Sequence, residues 1–399
     1  MVKKFEINSV NFDKLPNIEK CNKLLDVIHK KVKPSLSEVS CKVDKPIIIY
    51  GAGNLGKMAK EYLNKLNIKP LFIIDRNFEK CNEDLFWRNG EILDPCEVPY
   101  IARKLNKVIV CVVTTSFCEI KRWLNILGFE DVVPFYDITL SYQDKHPLNN
   151  GWFDCLLNNE DIENMKYVLS KLEDDISRAH YLQFIAWHVC REEWIFANAP
   201  IIHKEKYFIP EIVNVLTDKE RFINIGAYDG EFTLKFMEKV NNKFSVIYAF
   251  EPDKDNIDKF LYNLKNYMNN YNIHLIPKAL GKIEEKKKFY GEIKYVSQLS
   301  ELGNKEIEVY KLDNFNLSPT IVKIHVEGLE NEIFDGGLDT IINKRPILMM
   351  TVYHNRNGLW NIQKNVMESL GNSYIYYFRL HLWCGTSGII YAIPKERLK

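Results

Sequence analysis

The chain has 399 residues, 46% of them hydrophobic, with 54 Lys plus Arg against 53 Asp plus Glu. That length exceeds one ordinary core and suits two domains, and the apolar share excludes a disordered chain. The even charge balance gives no electrostatic reason to expect nucleic acid or an anionic membrane as partner.

In chain order, residues 1–44 are polar and read as a helical segment around NIEKCNKLLDVIHKKV. From residue 45 the pattern changes to strand, Gly-rich turn, helix, strand in KPIIIYGAGNLGKMAKEYLNKLNIKPLFIIDRN. Leu55, Ala59, Tyr62, Leu63 and Leu66 fall on one helical face. KVIVCVVTT reads as a continuous strand buried on both faces of a parallel sheet. Residues 45–148 are therefore predicted to form a Rossmann-like α/β domain. Residues 149–212 form a predicted helical connector, with LLNNEDIENMKYVLSKL and ISRAHYLQFIAWHVCREEWIF as two helices leaning on the second sheet. Residues 213–399 repeat the α/β logic, with strands at RFINI, SVIYAF, NIHLI, EIEVYKL, TIVKIHV, PILMMTVY, SYIYYF and GIIYAI. The lysine-rich run KIEEKKKF reads as a solvated face, and the aromatics of YIYYF and FYGEIKY as strand core.

Nine cysteines are scattered, none in a CxxC pair, so neither a disulfide framework nor a zinc site is expected. The longest apolar runs, such as VIVCVV, are strand-length, and the first residues carry no apolar leader; a cytoplasmic protein with reduced thiols is expected.

Two glycine turns carry the chemistry. Gly51, Gly53 and Gly56 follow a strand and open a helix, and Asp75 ends the next strand. Glycines let backbone approach a phosphate, a helix N-terminus offers N–H groups, and the acid can accept ribose hydroxyls. Two readings stand: a nucleotide or nucleotide-sugar site, or a Rossmann-like scaffold whose turn merely needs glycine. The second turn, Asn224 to Gly230, spaces Gly226 and Gly230 differently, and Glu251 ends the following strand. This spacing suits a class I methyltransferase loop with an acid for the cofactor ribose; plain turn geometry and a helix N-terminal acid are the bland alternatives.

The ordered set INIGAYDGEF, YAFEPDKDN, KALG, YKLDNF and IVKIHVEGLENEIFDGG resembles the FkbM family of S-adenosylmethionine-dependent methyltransferases. DDISRAHYLQFIAWH and EKYF upstream, and VYHNRNGLWNI, YFRLH and YAIP downstream, extend the resemblance over roughly residues 150–399. The N-terminal α/β domain is similar to the extra domain of long members. The implied fold is two Rossmann-like domains joined by a helical segment, the C-terminal one a class I methyltransferase. The resemblance implies that Gly226, Ala227, Tyr228, Asp229 and Gly230 surround the methionine part of S-adenosylmethionine. It places Glu251 on the ribose, Pro252, Asp253 and Asn256 at the pocket edge, and Lys278 and Ala279 beside the adenine. The strand end at Lys323, His325 and Glu327 would face the transferred methyl group.

Two residues depart from the family pattern: Asn224 and His325 each stand where Asp is usual. A histidine near pKa 6.5 is a better proton acceptor at neutral pH than a carboxylate near 4. His325, Glu327 and His354 are accordingly the candidate bases, in that order. The alternative for His325 is a structural histidine in a chain that has lost activity or changed substrate. Arg379, His381 and Trp360 are candidate acceptor contacts: Arg379 for a phosphate, Trp360 as a wall for a sugar ring, with surface pairing and core packing as alternatives. A divalent metal on Asp229, Glu327 or a histidine is compatible with such a site, but the spacing presents no convincing ligand set and none is assigned. The expected activity is O-methyl transfer to a sugar, nucleotide sugar or other glycan-precursor hydroxyl. The rivals are a non-catalytic nucleotide-binding protein and an NAD-dependent oxidoreductase built on GAGNLG.

Overall fold

The computed structural model describes residues 6–31, 41–87, 92–146, 148, 156–290, 298–299 and 305–398. Cys155, the greater part of FYGEIKY and the stretch just after the expected boundary at residue 148 lie outside them.

The apolar run Ile47–Tyr50 is buried throughout and sits at the centre of a five-stranded sheet. The strand order is Ile92–Leu93, Phe72–Ile74, Ile47–Tyr50, Lys107–Val110, Asp131–Pro134, and every pair is parallel. Helix Asn54–Lys65 buries Met58, Ala59, Tyr62 and Leu63 against it. KVIVCVVTT is strand only over Lys107–Val110. Beyond Cys111, whose amide still bonds the Tyr50 carbonyl, the chain leaves the sheet.

The second sheet has seven strands, ordered Ile273–Ile276, Val246–Phe250, Arg221–Ile225, Ile321–Ile324, Ile347–Thr351, Gly388–Pro394, Tyr374–Leu380. All neighbours run parallel except Gly388–Pro394, which opposes both of its own. The order reverses beside Arg221–Ile225, so the loops after this strand and Ile321–Ile324 diverge and leave a crevice at their carboxyl ends. One face packs Phe222, Ile247 and Ile321 under Phe236 and Phe260. The other packs Ile223, Val322 and Ile324 in the same core as helices Asn159–Lys171 and Asp175–Cys190.

The connector differs from expectation. REEWIF is not helical: Arg191 adopts left-handed backbone (φ 54°), ends the helix, and Glu192–Phe196 forms a strand. Its parallel partner is Asn8–Phe12, so the first segment is part strand rather than wholly helical. The pairing joins residues distant along the chain, which no local periodicity reports. Helix Ile18–Lys30 then lays Cys21, Leu24, Leu25 and Ile28 into the connector's core. KIEEKKKF likewise enters a strand, Glu285–Tyr290, pairing antiparallel with Lys305–Tyr310 in a four-stranded sheet.

The two α/β units are tied by polar contacts. Glu193, at the connector strand, accepts from the amides of Phe117 (2.8 Å) and Cys118 (3.2 Å) and from the Ser116 hydroxyl. It thereby caps helix Phe117–Ile126 of the first unit. The Trp383 amide donates to the Val113 carbonyl at 2.7 Å, and Trp187 joins the first unit's core. Among the described residues no two cysteines form a disulfide, and no helix is long and apolar enough to cross a membrane.

His180, His188 and His381 are among the buried histidines of this framework. Burial, the largest cause in each case, pushes His180 down to about 4 and His188 and His381 to about 3. Above about pH 6.5 these side chains are neutral folded or unfolded; below it the unfolded chain takes up protons first and stability is lost. Each contributes a slope of about 1.4 kcal/mol per pH unit. Urea midpoints measured at pH 7.0, 5.5 and 4.5 should fall steadily; a flat profile would refute the assignment.

Candidate active site

The crevice at the switch point holds a cavity of about 440 Å³, within the range of small-molecule sites. Its walls come from Gly226, Tyr228, Glu251, Pro252, Lys278 and Ala279 on one side and from Lys323, His325, Glu327 and Tyr353 on the other.

The first wall depends on a close backbone approach. Gly226 has φ +72°, and a Cβ there would lie 1.8 Å from the His325 carbonyl oxygen. Only glycine lets the loop pass so near the end of Ile321–Ile324. Tyr228 follows in left-handed backbone (φ 52°), which is strained for a tyrosine. Glu251 holds the loop in place: Oε2 accepts the Tyr228 amide at 2.8 Å, and Oε1 accepts the Asp253 amide at 3.0 Å and the Asn256 side-chain amide at 3.4 Å. Burial raises its pKa against these bonds. A carboxylate has about four acceptor positions, so Oε2 keeps one toward the cavity. Asp253 caps helix Lys254–Leu264 through the Asp255 and Asn256 amides. Gly230 packs on Leu264 and Phe260, Ala227 is buried, and the Asp229 carboxylate accepts the Glu231 amide at the loop's outer edge.

The second wall is a buried polar floor. Lys323 donates to the Gly226 carbonyl at 2.7 Å, and burial lowers its pKa to about 7. Lys206, also buried, is lowered to about 8 for the same reason. His325 lies between two phenols, with Nδ1 2.7 Å from the Tyr207 hydroxyl and Nε2 3.2 Å from that of Tyr353. Burial first, then the nearby lysines, drive His325 well below the usual histidine range. The site thus offers a neutral, hydrogen-bonded imidazole, a weaker proton acceptor than a histidine of ordinary pKa. Glu327 is raised to about 7 by burial. In His354, burial favours the neutral ring, but the charges of Glu330 and Glu327 overrule it and the pKa rises. His354 Nδ1 sits 2.5 Å from Glu330 Oε1, and Nε2 faces Glu327 Oε2 at 3.5 Å.

The other family departure has a local reason. Asn224 is fully buried and its amide donates to Thr233 at 3.0 Å, which a carboxylate could not do.

Three expected acceptor contacts are engaged elsewhere. Arg379 is buried in ion pairs with Asp174 and Glu211, each at 2.7 Å, because its strand end packs under helix Asp175–Cys190. His381 bonds the Ile202 carbonyl (2.9 Å) and the Tyr391 hydroxyl (2.7 Å). Trp360 donates to Asp161 at 2.8 Å. None of the three lines the cavity. Conversely, Lys206, Tyr207, Phe232, Tyr353 and Glu330 build the floor or its support without having been singled out; Lys206 and Tyr207 lie within EKYF, whose place in the sequence pattern was their only signal.

In the first unit, Gly56 needs its glycine because a Cβ would meet the Gly51 carbonyl at 1.9 Å, whereas Gly53 faces open space. Asp75 ties this turn as Glu251 ties the other, accepting the Ala52 amide at 2.7 Å and the Asn77 amide at 2.8 Å. Asn54, the first residue of the helix after the turn, borders the cavity of the second unit.

Residues 224–379 match the profile described as Methyltransferase FkbM domain. No curated protein matches the chain. The crystal structure of methyltransferase FkbM from Methylobacillus flagellatus KT is similar at a TM-score of 0.59 and 14% identity, covering 94% of this chain and 98% of that one. At that identity the likeness concerns the fold, and it extends over both α/β units. Precorrin-6y C5,15-methyltransferase from Geobacter metallireducens GS-15 aligns with a TM-score of 0.30 and 14% identity over 49% of this chain and 99% of that one, too loose to carry an argument.

Gly226→Ala should destabilise the protein by about 3 kcal/mol, since backbone rather than a flexible side chain blocks the new methyl group. Gly53→Ala should shift the urea midpoint little. Equal effects at the two positions would contradict the difference in their surroundings.

Proposed function

Residues 224–379 being an FkbM methyltransferase domain, we propose that this methyltransferase uses S-adenosylmethionine and transfers the methyl group to an oxygen of a small, sugar-containing acceptor. The carrying observation is the cavity at the switch point, with a glycine-enforced loop and a buried acid on one wall and a polar floor on the other.

The residues present fit the donor. Gly226 and Tyr228 would cradle its methionine part, Glu251 would accept from the ribose through the position left on Oε2, and Lys278 and Ala279 would border the adenine. When bound, S-adenosylmethionine supplies an electrophilic methyl group on a sulfonium that leaves as a thioether. The protein's task is then to hold the acceptor oxygen in line and to receive its proton. His325, Glu327 and His354 stand together where that proton must go. They act as a unit, since His325 by itself is held neutral by burial and by Lys206 and Lys323. The low-dielectric floor strengthens each of these interactions relative to water.

Oxygen as the methylated atom, and a sugar or nucleotide sugar as its bearer, remain part of the proposal. Asn54 at the rim supports an acceptor reaching toward the Gly51–Gly56 turn, where helix Asn54–Lys65 begins without a side-chain cap, a terminus suited to a phosphate. The first unit would then select the acceptor rather than run NAD chemistry of its own.

Calorimetric titration tests the donor assignment. The full chain should bind S-adenosylmethionine and S-adenosylhomocysteine, and Glu251→Ala should weaken both at least about 100-fold, as expected for losing a buried charge-assisted contact worth about 3 kcal/mol. Retained affinity in that variant would sink the pocket assignment. Glu327→Gln should keep donor binding while losing turnover in a screen of sugar and UDP-sugar acceptors; unchanged turnover would remove Glu327 from the chemistry.

A further inference from the structure

The floor of the cavity contains an arrangement that proton transfer alone does not explain. One donor atom from each of His325, Glu327 and His354 lies within 4.8 Å of the others. Two of these atoms, His354 Nε2 and Glu327 Oε2, are buried and have no hydrogen-bond partner among the described residues. The His354 side chain is fully buried. Orphaned polar atoms at such depth are costly, and a cluster of them aimed at one point calls for a missing partner.

The surrounding contacts say what that partner is. Glu330 is fully buried and takes Nδ1 of His354, while also accepting from the Thr351 hydroxyl at 3.0 Å. With an Nδ1 proton committed to Glu330, the neutral form of His354, which a cation would select, directs the lone pair of Nε2 toward Glu327. A carboxylate behind a histidine, fixing its tautomer and ring, is the usual support of a metal-binding imidazole. His325 is supported likewise by the Tyr207 hydroxyl on Nδ1, which leaves Nε2 and its longer contact to Tyr353 to be exchanged for an ion. The two imidazole rings lie 5.3 Å apart, nearly parallel (23°). The separation of 3.5 Å between His354 Nε2 and Glu327 Oε2 is close to the edge of a tetrahedron with bonds of about 2.1 Å, roughly 3.4 Å.

We propose that His325, Glu327 and His354 bind a divalent transition-metal cation at the floor of the cavity. Two imidazoles and one carboxylate favour zinc, cobalt, iron or manganese over magnesium or calcium, which prefer all-oxygen shells. Three protein ligands leave a coordination position open toward the cavity, as in catalytic rather than structural sites. The inference rests on the methyltransferase reading for its role. The open position takes the acceptor hydroxyl and lowers its pKa; with the three side chains engaged as ligands instead of serving as the base, the O–H bond breaks, the proton leaves to water, and the oxygen keeps the electron pair that forms the bond to the methyl carbon. Lys206 faces the same floor and opposes the added charge, so the two carboxylates Glu327 and Glu330 are what allow a cation there.

Chelator-treated full-length protein titrated with Co2+ gives a visible readout independent of turnover. One equivalent should bind with a d–d absorption band. Stoichiometric uptake should be lost in His354→Ala and in Glu327→Gln, and Glu330→Gln should weaken uptake by about 10 to 100-fold as a positioning residue. Should His354→Ala not fold, the near-isosteric Glu327→Gln decides. No uptake, or uptake unchanged in Glu327→Gln, overturns the proposal. S-Adenosylhomocysteine binding measured on the same samples separates the two readings: donor binding without Co2+ uptake removes the metal and leaves the methyltransferase, whereas Co2+ uptake lost in Glu327→Gln without donor binding does the reverse.

Discussion

The site depends on one steric constraint, the passage of the Gly226 loop against the backbone of His325 at the end of the neighbouring parallel strand. The strands Arg221–Ile225 and Ile321–Ile324 pair in register, and their continuations must part to open a crevice. They part only after Gly226, where a Cβ would overlap a carbonyl oxygen. Lys323 then bridges back to the Gly226 carbonyl, and Glu251 binds the loop from the other side through the Tyr228 amide. Three neighbouring strand ends are thus held at fixed spacing by contacts to one short turn.

This constraint brings charged groups into a place where water cannot compensate for them. Lys323, Lys206, Glu327, Glu330, His325 and His354 are crowded around the floor, and burial is the largest influence on the ionisation of five of them. Such concentrations of perturbed groups are characteristic of functional sites, because a framework needing only stability would replace them with apolar side chains. The surrounding hydrophobic layers supply the rigidity that keeps unsatisfied atoms from relaxing toward one another. Glu330 shows the pattern well: it is wholly inside the protein, yet it is occupied by His354 and Thr351 rather than by a lysine.

The two α/β units use the same device for different ends. In each, a glycine turn follows the unit's first sheet strand, and an acid at the end of the next strand accepts an amide of that turn, Asp75 from Ala52 and Glu251 from Tyr228. In the second unit the turn walls a cavity; in the first, the buried Trp87 bonds the Ala52 carbonyl at 2.7 Å beneath the turn. The connector locks the units through Glu193 and Trp187, so that Asn54 reaches the rim of the other unit's cavity.

The amino-acid sequence by itself determined the two α/β units, the place of both glycine turns and the acids that follow them. These features are local: apolar runs of strand length, glycines where backbone must come close, and a carboxylate at a strand end all leave their mark within a few residues. It also marked His325, Glu327 and His354, because they stand at strand ends or just beyond. Tertiary structure alone decided which polar residues face the cavity. Arg379 and His381 sit at a strand end as suitable as any, but the strand lies at the sheet edge under a helix, and Asp174, Glu211 and Tyr391 occupy them. Lys206, Tyr207 and Glu330 gained their roles from packing against residues far away in sequence. The strand hidden in REEWIF depended on Asn8–Phe12 in the same way. Periodicity records which face of an element is apolar; it holds no information on which distant element that face will meet, and ionisation follows from that meeting.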